Sequence, residues 1–265
     1  FSQVMAISTL VPVFGPTVGA AIMRIFGWRG LVAFLGLIAL GILIAAFRML
    51  PDTNATTVHE TRWLSRMRSD GSALARDRDF VGYAVVLLLA SAAYFASTAA
   101  SSFVLQGDFG MTPIQYSIVV GINGIGVILV SLVASKRVRV SGPRRLLVTG
   151  LGLLLLTSAL LLGATAGSLP LLLAGLFTLN LGVGLIFPAA RALAPHKHAL
   201  RAGSAYAILG VTQFVVSGLA APLTGLLPWA LLTSLGVVVA FLSVGAVGAL
   251  FITDRTTAER PTATA

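Results

Sequence analysis

Apolar blocks of about 20 residues recur along this chain and are separated by short polar stretches. An α-helix needs about that many residues to cross the hydrocarbon core of a bilayer. The strands of a membrane barrel would alternate between apolar and polar residues, whereas these blocks are continuously apolar, as in 151–162. The sequence therefore predicts an all-α, polytopic membrane protein. Eight blocks meet the criterion, near 2–23, 29–50, 81–103, 113–134, 145–166, 169–190, 203–225 and 228–252.

The charged residues follow the same pattern. Only 10% of residues are charged, with a net charge of +10, against roughly 25% charged residues in a soluble domain. Sixteen of the 18 Lys and Arg residues fall on one side of the predicted membrane, leaving Arg24 and Arg29 on the other. Basic loops mark the cytosolic side, so we expect both ends of the chain to be cytosolic and no nucleic-acid partner. The sixteen lie in 48–78, 136–145, 191–201 and 255–260.

Residues that carry catalytic or metal chemistry are scarce. The chain has no Cys and three His, at 59, 196 and 198. His196 and His198 flank Lys197 without a third ligand nearby, so we predict no metal, no cofactor and two solvated imidazoles. No nucleophile and base pair is apparent, and we do not expect an enzyme.

The first block holds a distinctive pattern, Gly15-Pro16-Thr17-Val18-Gly19, followed by Gly27-Trp28-Arg29. Gly15 and Gly19 place two small residues on one helix face, which lets a neighbouring helix approach closely. Pro16 removes a backbone donor and bends the helix. Taken alone, this pattern is also consistent with generic helix packing.

Gly-Pro-x-x-Gly with a downstream Gly-Trp-Arg resembles the antiporter motif in the fifth helix of drug exporters of the major facilitator superfamily. Further stretches are similar to the Bcr/CflA family within that superfamily, and 185–190 with 201–214 resemble its tenth and eleventh helices. On that register the eight blocks are helices five to twelve of an expected twelve. The other similar stretches are 79–83, 102–106, 109–113 and 142–145.

The resemblance also implies a domain organisation. Residues 1–50 would be the last two helices of an N-terminal bundle, and 51–80 a cytosolic linker between bundles. Residues 81–252 would form a C-terminal six-helix bundle, followed by a cytosolic tail at 253–265. Gly15, Pro16 and Gly19 would pack the fifth helix against the other bundle.

The implied function is export of bicyclomycin-type or chloramphenicol-type drugs in exchange for protons, by a monomer in the bacterial inner membrane. All eight acidic residues fall in predicted loops or ends, so the proton-carrying carboxylate is expected in helices before Phe1. Arg139 stands where the superfamily's cytosolic loop usually has Asp, which leaves Arg144 and Arg145 as topology anchors. A metabolite transporter of the same fold and an inactive truncated membrane fragment remain open alternatives.

A substrate cavity needs a mostly apolar wall with a few polar or aromatic groups. Each candidate at membrane depth has an alternative role, either a hydrogen bond between helices or packing against lipid. Because the amides among them are uncharged, the sequence favours neutral or varied substrates. The candidates are Tyr94, Phe95, Ser97, Ser101, Asn123, Asn180, Tyr206, Gln213 and Phe214.

Overall fold

Every regular element in the described part of the chain is helical, which confirms the all-α prediction. The computed structural model describes the backbone of residues 2–49, 63–198 and 201–258. It describes side-chain surroundings for 18–19, 22–48, 68–134, 136–137, 141–198, 201–220 and 222–255. The helices are α1 (Ser2–Met49), α2 (Trp63–Arg76), α3 (Arg78–Phe103), α4 (Pro113–Ala164), α5 (Leu169–Leu193), α6 (Ala202–Leu226) and α7 (Leu231–Ala258).

Seven segments of the described residues are long and apolar enough to cross a membrane. They match seven of the eight predicted blocks, and most of the first block, 2–23, lies outside the residues with described side chains. A π-helical turn, Val104–Asp108, extends the first span beyond α3. The seven segments are Ile22–Arg48, Arg78–Asp108, Pro113–Ala134, Ser141–Ala164, Leu169–Leu193, Ala202–Leu226 and Leu231–Arg255.

Two helices are interrupted by a single glycine. Gly27 in α1 has φ 67°, and Gly142 in α4 has φ 74°, a left-handed conformation that glycine adopts without a steric penalty. The segment 136–145, predicted as a short connection between two spans, has helical backbone on both sides of Gly142, while the candidate spans end at Ala134 and resume at Ser141. Pro143 begins the second arm, where its missing N–H costs no hydrogen bond.

The chain divides into two compact units, Phe1–Leu64 and Ser65–Ala265, which we call unit 1 and unit 2. In unit 1, large apolar side chains such as Ile25, Phe26 and Phe47 are exposed. This exposure suits a helix that faces lipid or another membrane helix.

In unit 2, α3 contacts α5, α6 and α7, while α4 packs along α5 and α7. Leu87, Leu154 and Ile186 are among the fully buried side chains of the shared core. Because α3 lies between α5 and α6, side chains from all three helices meet around it.

Both ends of unit 2 contain more helix than the sequence predicts. The predicted linker at 51–80 contains α2, whose Leu74 is fully buried against the core while Arg68 and Arg76 are exposed. The predicted tail from 253 begins inside α7, which continues to Ala258.

Candidate functional site

Four aromatic side chains from three helices form a connected surface in unit 2, which we call the aromatic face. Tyr94 and Phe95 of α3 contact each other at 5.4 Å between ring centroids. Tyr94 also meets Phe187 of α5 at 6.1 Å, and Phe95 meets Phe214 of α6 at 6.0 Å. All are edge-to-face contacts, an arrangement that aromatic pairs prefer. The structure thus brings together three predicted cavity residues, Tyr94, Phe95 and Phe214. The fourth residue, Phe187, was not predicted to line the cavity.

Arg191 borders the aromatic face. Its Nη2 donates a 2.8 Å hydrogen bond to Gln213 Oε1, and its Cζ lies 5.9 Å from the Phe187 ring centroid. Gln213 is only 2% exposed, whereas Arg191 is exposed. The sequence analysis assigns Arg191 to the basic cytosolic segment 191–201, and in the structure it belongs to α5, which ends at Leu193. The spacing of Phe187 and Arg191, four residues apart on one helix face, is the signal that could have identified it.

Two other predicted cavity residues bond within their own helices. Ser101 Oγ donates to Thr98 O at 3.0 Å, and Asn180 Nδ2 donates to Leu176 O at 2.8 Å. Each local bond uses one donor of the side chain without a ligand, and the Asn180 carbonyl oxygen takes no part in it.

Ser97 differs from Ser101 because its hydroxyl is fully buried. Among the described residues, its Oγ is a buried side-chain atom without a hydrogen-bond partner. Asn123 of α4 is half-buried, and Tyr206 of α6 is exposed. Among the described residues, Tyr206 makes no ring contact with the aromatic face, but it is an electrostatic neighbour of Arg191.

Ion pairs concentrate at one end of unit 2, where α3 begins and α5 ends, and we call this the linker end. Asp79 pairs with Lys197, and Asp77 Oδ2 lies 2.7 Å from His198 Nε2. His198 also meets the Phe80 ring edge-on at 6.3 Å. The expectation of a solvated imidazole is wrong for His198, whose side chain is 18% exposed.

Asp70 of α2 extends this network to α6. Its carboxylate lies 3.1 Å from Arg201 Nε and accepts a 2.8 Å hydrogen bond from Ser204 Oγ. The carboxylates of α2 and α3 thus hold the segment that joins α5 to α6. The described residues contain no group of three or more His, Cys, Asp or Glu that could hold a metal ion.

Arg144, predicted as a topology anchor, also joins two helices. Its Nε and Nη2 donate to the two carboxylate oxygens of Asp254 at 3.2 and 2.5 Å, which links α4 to α7. Arg145 is exposed.

The antiporter-like residues lie in α1, before the Gly27 kink. The side-chain surroundings of Gly15 and Pro16 lie outside the described residues. Gly19 is half-buried, and a Cβ added there would meet Leu31 Cδ1 at 3.9 Å, an ordinary contact. The packing role of this motif stays a prediction.

Residues 82–265 match the family model described as Major Facilitator Superfamily. The chain is 28% identical over 240 residues to an uncharacterized MFS-type transporter, YdgK, from Bacillus subtilis, a match covering 85% of this chain and 57% of YdgK. It is 27% identical over 220 residues to the multidrug resistance protein MdtL from Citrobacter koseri, covering 82% of this chain and 54% of MdtL.

A shorter match reaches another multidrug transporter. The chain is 26% identical over 110 residues to MdfA from Edwardsiella piscicida, covering 42% of this chain and 27% of MdfA. The chain spans little more than half the length of YdgK and MdtL.

Proposed function

The chain belongs to the major facilitator superfamily, and from that premise we propose that its gene product exports drugs or other small molecules in exchange for protons. The aromatic face is the observation that carries this proposal. Rings from α3, α5 and α6, beside a buried amide and an exposed guanidinium, combine apolar surface with a few orienting polar groups. The relatives named as multidrug proteins support drugs as the cargo, and the Bcr/CflA motifs support the proton-coupled subfamily.

We propose that the protein resides in the bacterial inner membrane as a monomer, with the linker end of unit 2 in the cytosol. The distribution of basic residues supports this orientation, since 16 of 18 fall in segments assigned to that side. Transport would proceed by rocking of helix bundles about a site near the middle of the membrane, as in related transporter folds. In the Bcr/CflA register, the proton-carrying carboxylate belongs to helices one to four.

The experiment expresses the full-length gene product that carries this chain in a bacterium lacking its own drug exporters. We expect reduced chloramphenicol or bicyclomycin susceptibility and drug efflux that stops when a protonophore collapses the proton gradient. Unchanged susceptibility and efflux, with the protein inserted in the membrane, would overturn drug export. Release of a metabolite from the same cells would then favour the metabolite transporter.

The glycines of the antiporter-like motif offer a second test. We propose that Gly15, Pro16 and Gly19 let α1 approach a neighbouring helix closely and keep the closed state from leaking protons. Gly15→Leu or Gly19→Leu should abolish efflux while membrane insertion is retained. Gly41→Leu is the matched control, because a Cβ at Gly41 meets no atom within 4 Å. Efflux that survives both motif substitutions would contradict this role.

A further inference from the structure

We propose that Arg191 recognises an anionic group, and that the aromatic face accepts organic molecules carrying both an aromatic ring and a carboxylate or similar anion. This inference rests on the proposed transport function, since it names the substrate class of the same site. It adds aromatic anions to the neutral drugs of the proposed function, which the uncharged amides favour.

The first step concerns charge. Arg191 lies two residues before the proposed cytosolic end of the candidate span Leu169–Leu193, but its guanidinium bonds to Gln213, near the middle of the candidate span Ala202–Leu226. A charged group at that depth of a membrane is costly unless something balances it. Among the described residues, the carboxylates of Asp70, Asp79 and Asp254 pair with Arg201, Lys197 and Arg144, and that of Asp77 contacts the His198 ring. None of these pairs involves Arg191. None of its described neighbours, Gln213, Phe187 and Tyr206, carries a carboxylate. An anionic ligand would supply the missing negative charge.

The second step concerns the donors. A guanidinium has five N–H donors in a planar fork, and the described contacts use one of them, for Gln213 Oε1. Because Gln213 is almost fully buried, this bond holds the guanidinium in one place while Arg191 itself remains exposed. A fixed, accessible fork matches the two oxygens of a carboxylate.

The third step concerns the apolar part of the ligand. Phe187 lies one helical turn before Arg191. Its ring contacts Tyr94, Tyr94 contacts Phe95, and Phe95 contacts Phe214. Phe214 directly follows Gln213 in α6, and Gln213 is the residue that bonds to Arg191. An aromatic ring stacked on this face would keep a carboxylate attached to it within reach of the guanidinium.

The competing explanation is that Arg191 only ties α5 to α6 through Gln213. Gln213→Leu separates the two roles, because it removes the hydrogen bond and keeps the charge. Arg191→Gln removes the charge, and Arg191→Lys keeps it without the planar fork. Arg76→Gln, at an exposed arginine of α2, is the matched control.

The test uses the full-length gene product in lipid nanodiscs and in proteoliposomes. Dansylglycine is the anionic probe, and dansylglycinamide, its neutral amide, is the control ligand. Dansyl fluorescence reports binding, and proteoliposomes report transport. We expect the wild type to bind the anion about tenfold more tightly than the amide, the size of one charge-assisted hydrogen bond. Arg191→Gln should abolish that preference, and Arg76→Gln should leave it unchanged. Arg191→Lys and Gln213→Leu should weaken it without abolishing it, because the positive charge remains while the planar fork or the bond that fixes it is lost.

Several outcomes would overturn the inference. The wild type could bind neither probe, or bind both equally well. Arg191→Gln could retain the preference for the anion, or Arg191→Gln and Gln213→Leu could lose the binding of both probes to the same extent. If Arg191→Gln does not insert, the wild-type preference alone decides. Binding with anion preference but without transport would sink the proposed function and leave this inference standing. Transport without the anion preference would overturn this inference and leave the proposed function standing.

Discussion

The two faces of α5 differ in what they bring to the bundle. On one face, which we call the packed face, Gly175 and Gly182 lie against α4 so closely that an added Cβ would come within 3.0 Å of Leu161 Cδ2 or 3.1 Å of Gly150 O. On the other, the open face, Phe187 and Arg191 reach toward α3 and α6. The packed face is fully buried at Gly175 and Gly182, while Arg191 is exposed.

The two faces of α5 differ because close helix packing and polar contacts need different side chains. Lipid tails are as apolar as helix surfaces, so helices associate by close packing, and small residues permit it. Arg191 contributes a polar contact instead, because its guanidinium joins α5 to α6 through Gln213. If Arg191 recognises an anion, as proposed above, the packed face supplies rigidity and the open face supplies ligand recognition.

The largest expected effect comes from Gly150 of α4, which lies against the packed face of α5. Gly150→Leu should lower the free energy of unfolding by about 3 kcal/mol, because overpacking forces a tight interface apart. A Cβ at Gly150 would lie 2.6 Å from Ile186 Cγ1 and 2.9 Å from Gly182 O. Denaturant unfolding in detergent micelles measures the change. Gly152→Leu is the control, since a Cβ there meets nothing within 4 Å. Equal stability of the two variants would contradict the tight packing of α4 against the packed face.

The next effect tests whether the open face depends on the linker end. Asp79→Asn should lower the free energy of unfolding by about 2 kcal/mol, because it removes the charge of a buried carboxylate that accepts a hydrogen bond from Lys197 Nζ. Lys197 is 40% exposed and regains water, which limits the loss. Thermal unfolding gives the change, with exposed Asp108→Asn as control. We expect the folded variant to keep its anion preference, and its loss would show that the ion pairs shape the open face.

A smaller effect is expected from the aromatic part of the open face. Phe187→Ala should weaken dansylglycine binding about fivefold, the equivalent of about 1 kcal/mol for a lost aromatic contact. Probe fluorescence in nanodiscs measures it. Phe241→Ala removes an exposed ring from α7 and should leave binding unchanged. Equal binding by both variants would argue against Phe187 as a ligand contact.

The smallest effect is expected at the exposed pair between α4 and α7. Arg144→Gln should reduce the free energy of unfolding by about 0.5 kcal/mol, as solvent-exposed ion pairs contribute little. The difference should vanish in about 1 M salt, where screening is strong. Arg145→Gln is the adjacent control. A loss several times larger would mean that this pair holds the helices together.

Much of the fold could be predicted, and the errors have local causes. The loop predicted at 136–145 is largely helical because Lys and Arg are good helix formers, and a single residue, Gly142, makes the bend. The helix α2 was missed because its composition is polar, although Leu74 anchors it in the core.

The candidate site was only partly predictable. Tyr94 and Phe214 were identified as polar or aromatic groups at membrane depth, but Phe187 and Arg191 were not. Pairs at the linker end, such as Asp79 with Lys197 and Asp70 with Ser204, join residues 118 and 134 positions apart. No local pattern reveals such partners.

The sequence by itself determined that this chain is helical and crosses a membrane several times, because the length and apolarity of each block are local properties set against a bilayer of fixed thickness. Only the tertiary structure decided which helix faces meet. Arg191 reaches Gln213, and Phe95 reaches Phe214, because α3 lies between α5 and α6. That arrangement depends on packing among distant segments, and it turns scattered polar and aromatic residues into one surface.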